Sequence, residues 1–425
     1  MVAAPFLIPK LSPHFNATIT LPGSKSIALR QLALAALCQG VSKIYGVPEC
    51  DDTSAMLECL NRLGATTVEQ QDHIEVHGPM TRDTPVTLNA RMSGASTRLL
   101  IGLAALRSGT TLIDGHSSLR ARTNAPLLDV LQRHGCQVHS DAGKLPVKLQ
   151  GPIKPPDQLV IDGSLSSQYV TALLLCAPEF SAGPTLEIRI QGDLVSRPYI
   201  DITLNEMSKR GGQAYWQDSQ TLIVHRRAYT PGNVTIEGDA TAATYFAGLA
   251  GIHGGTITLT NLGNGSVQGD FNFFAVMEAL GAKVDRHPEH TQIKGPSALN
   301  SLPAIDMNSM PDAALTLIAL APLIPGDTHI TGLSSLHHKE CDRLNCPAQE
   351  FKALGVHPNL TDDTITVPQL PPQLLRPHVL NTYHDHRMAM AFSLLGSVSG
   401  HLKIDHKPVV DKTYPQYWSD YSRLV

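Results

Sequence analysis

Cations stand beside small hydroxyls and carboxylates at the head of one apolar segment after another. In LPGSKSIALR, residues 21–30, a Pro-Gly turn releases Ser24, Lys25 and Ser26 into an apolar run that carries Arg30. The same plan returns as Ser93 with Arg98 in MSGASTRL and as Ser166, Ser167 and Gln168 in SSQYV. It returns again as Asp239 in EGDATAA, Asp312 in MPDAAL, and Asp385 with Arg387 in DHRMAM. A helix start offers unpaired N–H groups and a positive dipole end, which with a nearby cation suits a phosphate or carboxylate. The hydroxyls and carboxylates also suit helix N-caps. Capping does not account for Lys25, Arg30, Arg98 and Arg387, because a cation at a helix start opposes the dipole unless an anion lies between them. The glycine spacing of a nucleotide P-loop is missing, so the expected ligands are small polyanions.

Six segments with such heads run on through an apolar helix of about four turns to a glycine and then a β-rich stretch. Their glycines are Gly40, Gly109, Gly183, Gly254, Gly326 and Gly400, expected to end the helices in the left-handed conformation. The helices are apolar almost all round and should be buried. Between them recurs an amphipathic helix that ends at Gly64, Gly135, Gly211, Gly281 and Gly355, about 70 to 76 positions apart. This predicts six α/β units, the last cut short, divided three and three between two domains.

Composition removes several function classes. At 425 residues the chain can build two or three cored domains. Its net charge of −4, with Lys and Arg dispersed, argues against a nucleic-acid partner. The longest apolar stretch, AALTLIALAPLI, is broken by Pro322 and is too short to span a membrane. The N-terminal apolar run is likewise too short for a signal peptide. Seven scattered cysteines without a C-x-x-C fit reduced thiols, hence a cytoplasmic protein. His337, His338, Cys341, Cys346, His384 and His386 raise the question of zinc. Their spacing is poor for a metal face and the neighbouring arginines repel a cation, so no metal is expected.

In order along nearly the whole chain, LPGSKSIALR, SSQYVTALL, SRPYIDITL, EGDATAATYF, QGDF, DMNSMPDAALT, KECDRL, YHDHRMAMAFSL and DKTYPQYW resemble the signature segments of the 5-enolpyruvylshikimate-3-phosphate (EPSP) synthase family. The resemblance implies an inside-out α/β fold of two domains, each of three βαβαββ units with buried helices. Residues 1–20 with 237–425 would form one domain and 21–236 the other, with the active site in the cleft between them. It implies transfer of the enolpyruvyl group of phosphoenolpyruvate to the 5-hydroxyl of shikimate 3-phosphate, without cofactor, by a monomer. Lys25, Ser26, Arg30, Ser166, Ser167, Ser196, Tyr199, Asp312, Ser335 and Lys339 would hold shikimate 3-phosphate, with Arg30 on its carboxylate. Lys25, Gly94, Arg120, Gln168, Arg343, Arg387 and Lys412 would hold phosphoenolpyruvate. Asp312 would serve the hydroxyl, Glu340 the methylene carbon, and Lys25 would be a third proton carrier.

Some positions depart from the family pattern. Leu29 and Met92 stand where asparagines are usual, Leu99 where a proline is, Ala121 where a glutamate is, and Ser335 where an asparagine is. Charged ligands are kept and neutral polar ones are lost. That leaves room for a paralogue acting on a related hydroxy acid, or for an inactive anion-binding homologue. The sibling enzyme acting on UDP-N-acetylglucosamine carries a lid cysteine, and DGHSSLRARTNA has none.

Overall fold

The computed structural model describes residues 4–180 and 183–425. Six helices carry the apolar segments: α1 (Lys25–Ala35), α2 (Gly94–Ala104), α3 (Ser167–Phe180), α4 (Ala240–His253), α5 (Ala314–Leu320) and α6 (His386–Ser399). With apolar residues on every face they have no side to show to water, and they are buried almost throughout. In α1 every residue from Ile27 onward is buried, Arg30 and Gln31 included. The amphipathic helices Asp51–Arg62, Ala125–Arg133, Pro198–Ser208, Phe273–Ala279 and Asn345–Leu354 cover the outside. Each runs into its expected glycine, and all five glycines have φ between 75 and 98°.

The other set of glycines behaves differently from expectation. Gly254 and Gly400 cap α4 and α6 in the left-handed conformation. α1 and α2 instead close on Ala36 and Ala105, both right-handed. Gly40 opens a strand, and at Gly109 a Cβ would stand 2.5 Å from the Thr84 carbonyl oxygen, so there close backbone approach excludes a side chain. The end of α3 near Gly183 borders residues outside the described set.

Parallel strands precede and follow the buried helices. Val86–Asn89 and Thr111–Asp114 flank α2, Gln158–Asp162 and Thr185–Gln191 flank α3, and Ile305–Asp306 and Thr328–Thr331 flank α5. Antiparallel strands extend each pair to four, and the last sheet, around α6, has three. Two strands change places. Asn16–Ile19, which precedes α1, pairs with Thr256–Leu259 after α4, while Asn233–Thr235, which precedes α4, pairs with Gly40–Tyr45 after α1. The chain accordingly forms two compact units, Met1–Pro22 with Glu237–Val425, and Gly23–Ile236. Each has its own hydrophobic core built around three of the buried helices.

Candidate active site

In the unit that holds α4, α5 and α6, one guanidinium organises three carboxylates. Arg343, 1% exposed, donates from Nη1 to Asp312 at 2.9 Å and from Nη2 to Glu340 at 2.7 Å. Its Nε reaches Asp385 at 2.7 Å, and Nη2 meets the second oxygen of Asp385 at 3.1 Å. Three more cations join, Lys339 from the same segment as Glu340 and two from elsewhere in the chain. Arg387 and Lys339 each lie 3.2 Å from Asp312, and Lys412 lies 2.9 Å from Glu340. Lys339, Glu340, Asp312, Arg343, Arg387 and Lys412 are thus one cluster, though they come from four stretches of chain.

Local structure explains the placement. Asp385 caps α6 by accepting the Arg387 N–H at 2.9 Å while fixing Arg343, so one buried carboxylate sets both cations. Tyr383 and His384, just before it, have φ of 52 and 56°, a strained turn that delivers the helix start to the cluster. Asp312 lies just ahead of α5, which begins at Ala314, and it faces cations rather than capping the helix. Burial works to raise the Asp312 pKa, but Arg387, Lys339 and Arg343 outweigh it and hold the carboxyl well below its usual range. At neutral pH Asp312 is therefore an acceptor of protons, not a donor. Ser335 is buried nearby in sequence, and its Oγ has no hydrogen-bond partner among the described residues.

Asp270, in QGDF, has a distinct character. Thr241 donates to it, and burial, then the charge of Asp312, push its pKa up to about 7. Its folded pKa lies above the unfolded value of about 4, so ionising it costs stability as pH rises from about 4 to 7. Asp270→Asn is expected to raise the melting temperature at pH 8 and to have little effect at pH 4, as thermal unfolding at the two pH values would record. An equal change at both would remove this reading.

The unit that holds α1, α2 and α3 collects a second set. Lys25, in the first turn of α1, pairs with buried Asp52 at 2.9 Å. Ser24 Oγ is buried without a hydrogen-bond partner among the described residues. Ser166 Oγ accepts the Gln168 N–H at 3.2 Å at the start of α3, and Ser167 is buried. Ser196 has φ of 57°, held where Arg197 stacks on Trp216 at 4.2 Å and the Trp216 indole donates to Asp201 at 2.8 Å. Ser26 and Tyr199 are drawn together by Arg30, which donates to the carbonyl oxygens of both, at 2.7 and 3.0 Å.

Two of the expected ligand residues are engaged by groups of their own unit. Arg30 makes four hydrogen bonds, the other two to Thr203 and Thr171, all to neutral oxygens of its own unit. Burial lowers its pKa to about 10, and the side chain ties α1 to the Pro198–Ser208 helix rather than presenting an open fork. Arg120 is exposed and engaged by Asp114 through both nitrogens, at 2.9 and 2.6 Å. A Cβ on Gly94 would lie 2.9 Å from Nη1 of Arg122 and equally close to Nη1 of Arg98, so two guanidinia converge on the start of α2.

His337, among the residues that raised the question of zinc, is half-buried, with its ring nitrogens on Asp342 and the Asp362 carbonyl. His386 is fully buried. Among the described residues no group of three or more His, Cys, Asp or Glu is arranged to hold a metal ion, and no helix is long and apolar enough to cross a membrane.

Residues 11–421 match the family model described as EPSP synthase (3-phosphoshikimate 1-carboxyvinyltransferase). The chain belongs to the EPSP synthase family. Curated relatives named 3-phosphoshikimate 1-carboxyvinyltransferase include one from Photobacterium damsela subsp. piscicida, 35% identical over 96% of this chain and 97% of that one. Another, from Yersinia pseudotuberculosis serotype IB, is 36% identical over 96% of both. The fold is shared with an EPSP synthase from Acinetobacter baumannii, at a TM-score of 0.79 and 21% identity over 99% of this chain and 98% of that one. It is shared too with the enolpyruvyl transferase NikO from Streptomyces tendae, at 0.80 and 19% over 99% and 97%. In this chain Lys339, Arg343, Arg387 and Lys412 gather on Asp312 and Glu340, while Lys25, Arg98 and Arg122 lie at the starts of α1 and α2.

Proposed function

We propose that this chain transfers the enolpyruvyl group of phosphoenolpyruvate to the 5-hydroxyl of shikimate 3-phosphate and releases phosphate, by addition followed by elimination. Membership of the EPSP synthase family supports the reaction. The observation that carries the assignment of chemistry is the Asp312–Arg343–Glu340 bridge flanked by Lys339, Arg387 and Lys412. Anion binding alone needs cations. Two carboxylates held among them serve proton transfer: Asp312 takes the proton of the attacking hydroxyl, Glu340 delivers one to the methylene carbon, and Lys25 assists. A purified preparation that releases phosphate only when both substrates are present would support this reading. No release with shikimate 3-phosphate, but release with another hydroxy acid, would sink the acceptor assignment.

On this reading the phosphate and ring of shikimate 3-phosphate fall to Lys25, Ser26, Ser166, Ser167, Ser196, Tyr199, Ser335 and Lys339, with Arg30 bracing α1. Phosphoenolpyruvate falls to Lys25, the Gly94 backbone, Gln168, Arg343, Arg387, Lys412 and, in place of Arg120, Arg122. An arginine fork on a carboxylate or phosphate contributes about 1.5–3 kcal/mol. Arg122→Met is therefore expected to raise the KM for phosphoenolpyruvate about tenfold to a hundredfold, and Arg120→Met to leave it nearly unchanged. Steady-state kinetics on both variants decides, and the reverse ranking would restore Arg120. All seven cysteines are free thiols, which supports a reducing, cytoplasmic setting. The family resemblance supports a monomer, which sedimentation would test.

A further inference from the structure

A carboxylate stands on the inner face of an amphipathic helix, where an apolar residue belongs. In Asn345–Leu354 the buried residues are Pro347, Ala348, Phe351 and Leu354, with Glu350 among them. An ionised carboxylate is costly there unless donors satisfy it. Glu350 has three, all from the stretch 378–383. Its Oε2 receives the Asn381 N–H at 3.2 Å and lies 3.0 Å from His378 Nε2, while its Oε1 receives the Tyr383 hydroxyl at 2.7 Å. That stretch runs into the turn at Tyr383 and His384, where φ is 52 and 56°, and the Asp385 N–H closes on the Thr382 carbonyl at 2.8 Å. Residues other than glycine stay at such angles only where their surroundings over-determine them. The same helix follows directly on the segment that carries Glu340 and Arg343. One rigid element therefore bears Arg343 at its entry and, in its middle, grips the segment that delivers Asp385 to Arg343 at 2.7 Å.

We propose that Glu350 is a positioning residue: by holding His378, Asn381 and Tyr383 it fixes the turn that brings Asp385 to Arg343 and Arg387 to Asp312. The consequence for turnover rests on the activity proposed above. Without the carboxylate the turn can relax toward ordinary backbone angles, and Asp385 and Arg387 shift with it. Asp312 faces Arg387, Lys339 and Arg343, and the charges opposing them are Glu340 and, when ionised, Asp270. Displacing two of the three cations returns basicity to Asp312. Asp312 acts deprotonated, so its pKa sets the acid limb of the rate profile, and that limb should move to higher pH. A sample that is merely less folded loses activity without moving the limb.

The test measures phosphate release against pH in variants of the full-length protein. Glu350→Ala is expected to lose about a hundredfold in kcat/KM for phosphoenolpyruvate, the scale of a 1 Å misplacement in a catalytic constellation. Its acid limb in kcat/KM should rise by about one pH unit, the low end of what a neighbouring cation does to a carboxyl group. Glu350→Gln should recover most of both. Its oxygen can accept from Asn381 and His378 while its amide donates to the Tyr383 hydroxyl, which can give its own hydrogen to Gln349, 3.1 Å away. Tyr383→Phe keeps the ring and removes one contact, so it should move the limb in the same direction even if the alanine variant fails to fold. An unshifted limb in Tyr383→Phe, or a glutamine variant as impaired as the alanine one, would overturn the proposal. Urea unfolding judges it without turnover. Tyr383 acts on Arg343 through the turn and Asp385, so the midpoint shifts of Tyr383→Phe and Arg343→Met should not add in the double variant. Additive shifts would overturn the positioning role, whereas coupled shifts in a chain inactive on the proposed substrates would support it and sink only the functional reading.

Discussion

Asp312→Asn is expected to lower kcat about a thousandfold, within the range a positioned acid–base group supplies. Asparagine keeps the shape of the side chain and can still accept from Arg343, but it cannot take a proton. Phosphate release under saturating substrates measures the loss, and a decrease of less than about tenfold would move the base elsewhere. The electrostatics add a sharper expectation. Asp312 is held as a carboxylate by Arg387, Lys339 and Arg343 against the opposing effect of burial, which makes it a weak base in the free protein. Incoming phosphate and carboxylate groups compete for the same cations, and each one they engage returns basicity to Asp312. A base works only when deprotonated, so its pKa sets the acid limb of the rate profile. That limb should lie lower in kcat/KM, which reports the free protein, than in kcat, which reports the bound state. Coincident limbs would mean that the cations keep their partners throughout.

The sequence exposed the periodic part of this molecule well, because burying a helix on all sides demands apolar residues at every position and leaves polar ones only at the head. The six heads follow from that demand, and the five outer glycines from the left-handed turn that ends each amphipathic helix. Pairing across distance was not legible. Asp52 reads as an acid at the start of its own helix, and only the fold shows that it holds Lys25. Asp385 reads as a cap, which it is, while its second task on Arg343 depends on a segment about forty residues away in the chain. Arg120 and Arg122 differ by two positions on one short turn, and spacing alone could not tell which faces Gly94. Arg30 sits at a head like the others, but α1 is buried far enough that its guanidinium finds oxygens of its own unit.

Arg343→Met is expected to cost about 3–5 kcal/mol of stability, the scale seen when one partner of a buried ion cluster is removed. Burial alone would disfavour the charge on Arg343, and Asp385, Glu340 and Asp312 more than restore it. Methionine fills similar space and leaves Asp385, which is fully buried, without the guanidinium that faces it. Urea unfolding of the variant measures the deficit. Its pH dependence separates charge from packing. Asp312 has a folded pKa below its unfolded value of about 4. Its contribution is therefore present above that pH and lost as pH falls through the lower folded value. Removing Arg343 weakens that depression, so the deficit should be largest near neutrality and shrink below about pH 4. A deficit unchanged from pH 7 to pH 3 would assign the loss to packing. Adding Asp385→Asn removes the stranded charge and should recover at least about 1 kcal/mol through the coupling of the pair. A double variant as unstable as the sum of the singles would show that Asp385 and Arg343 do not stabilise one another.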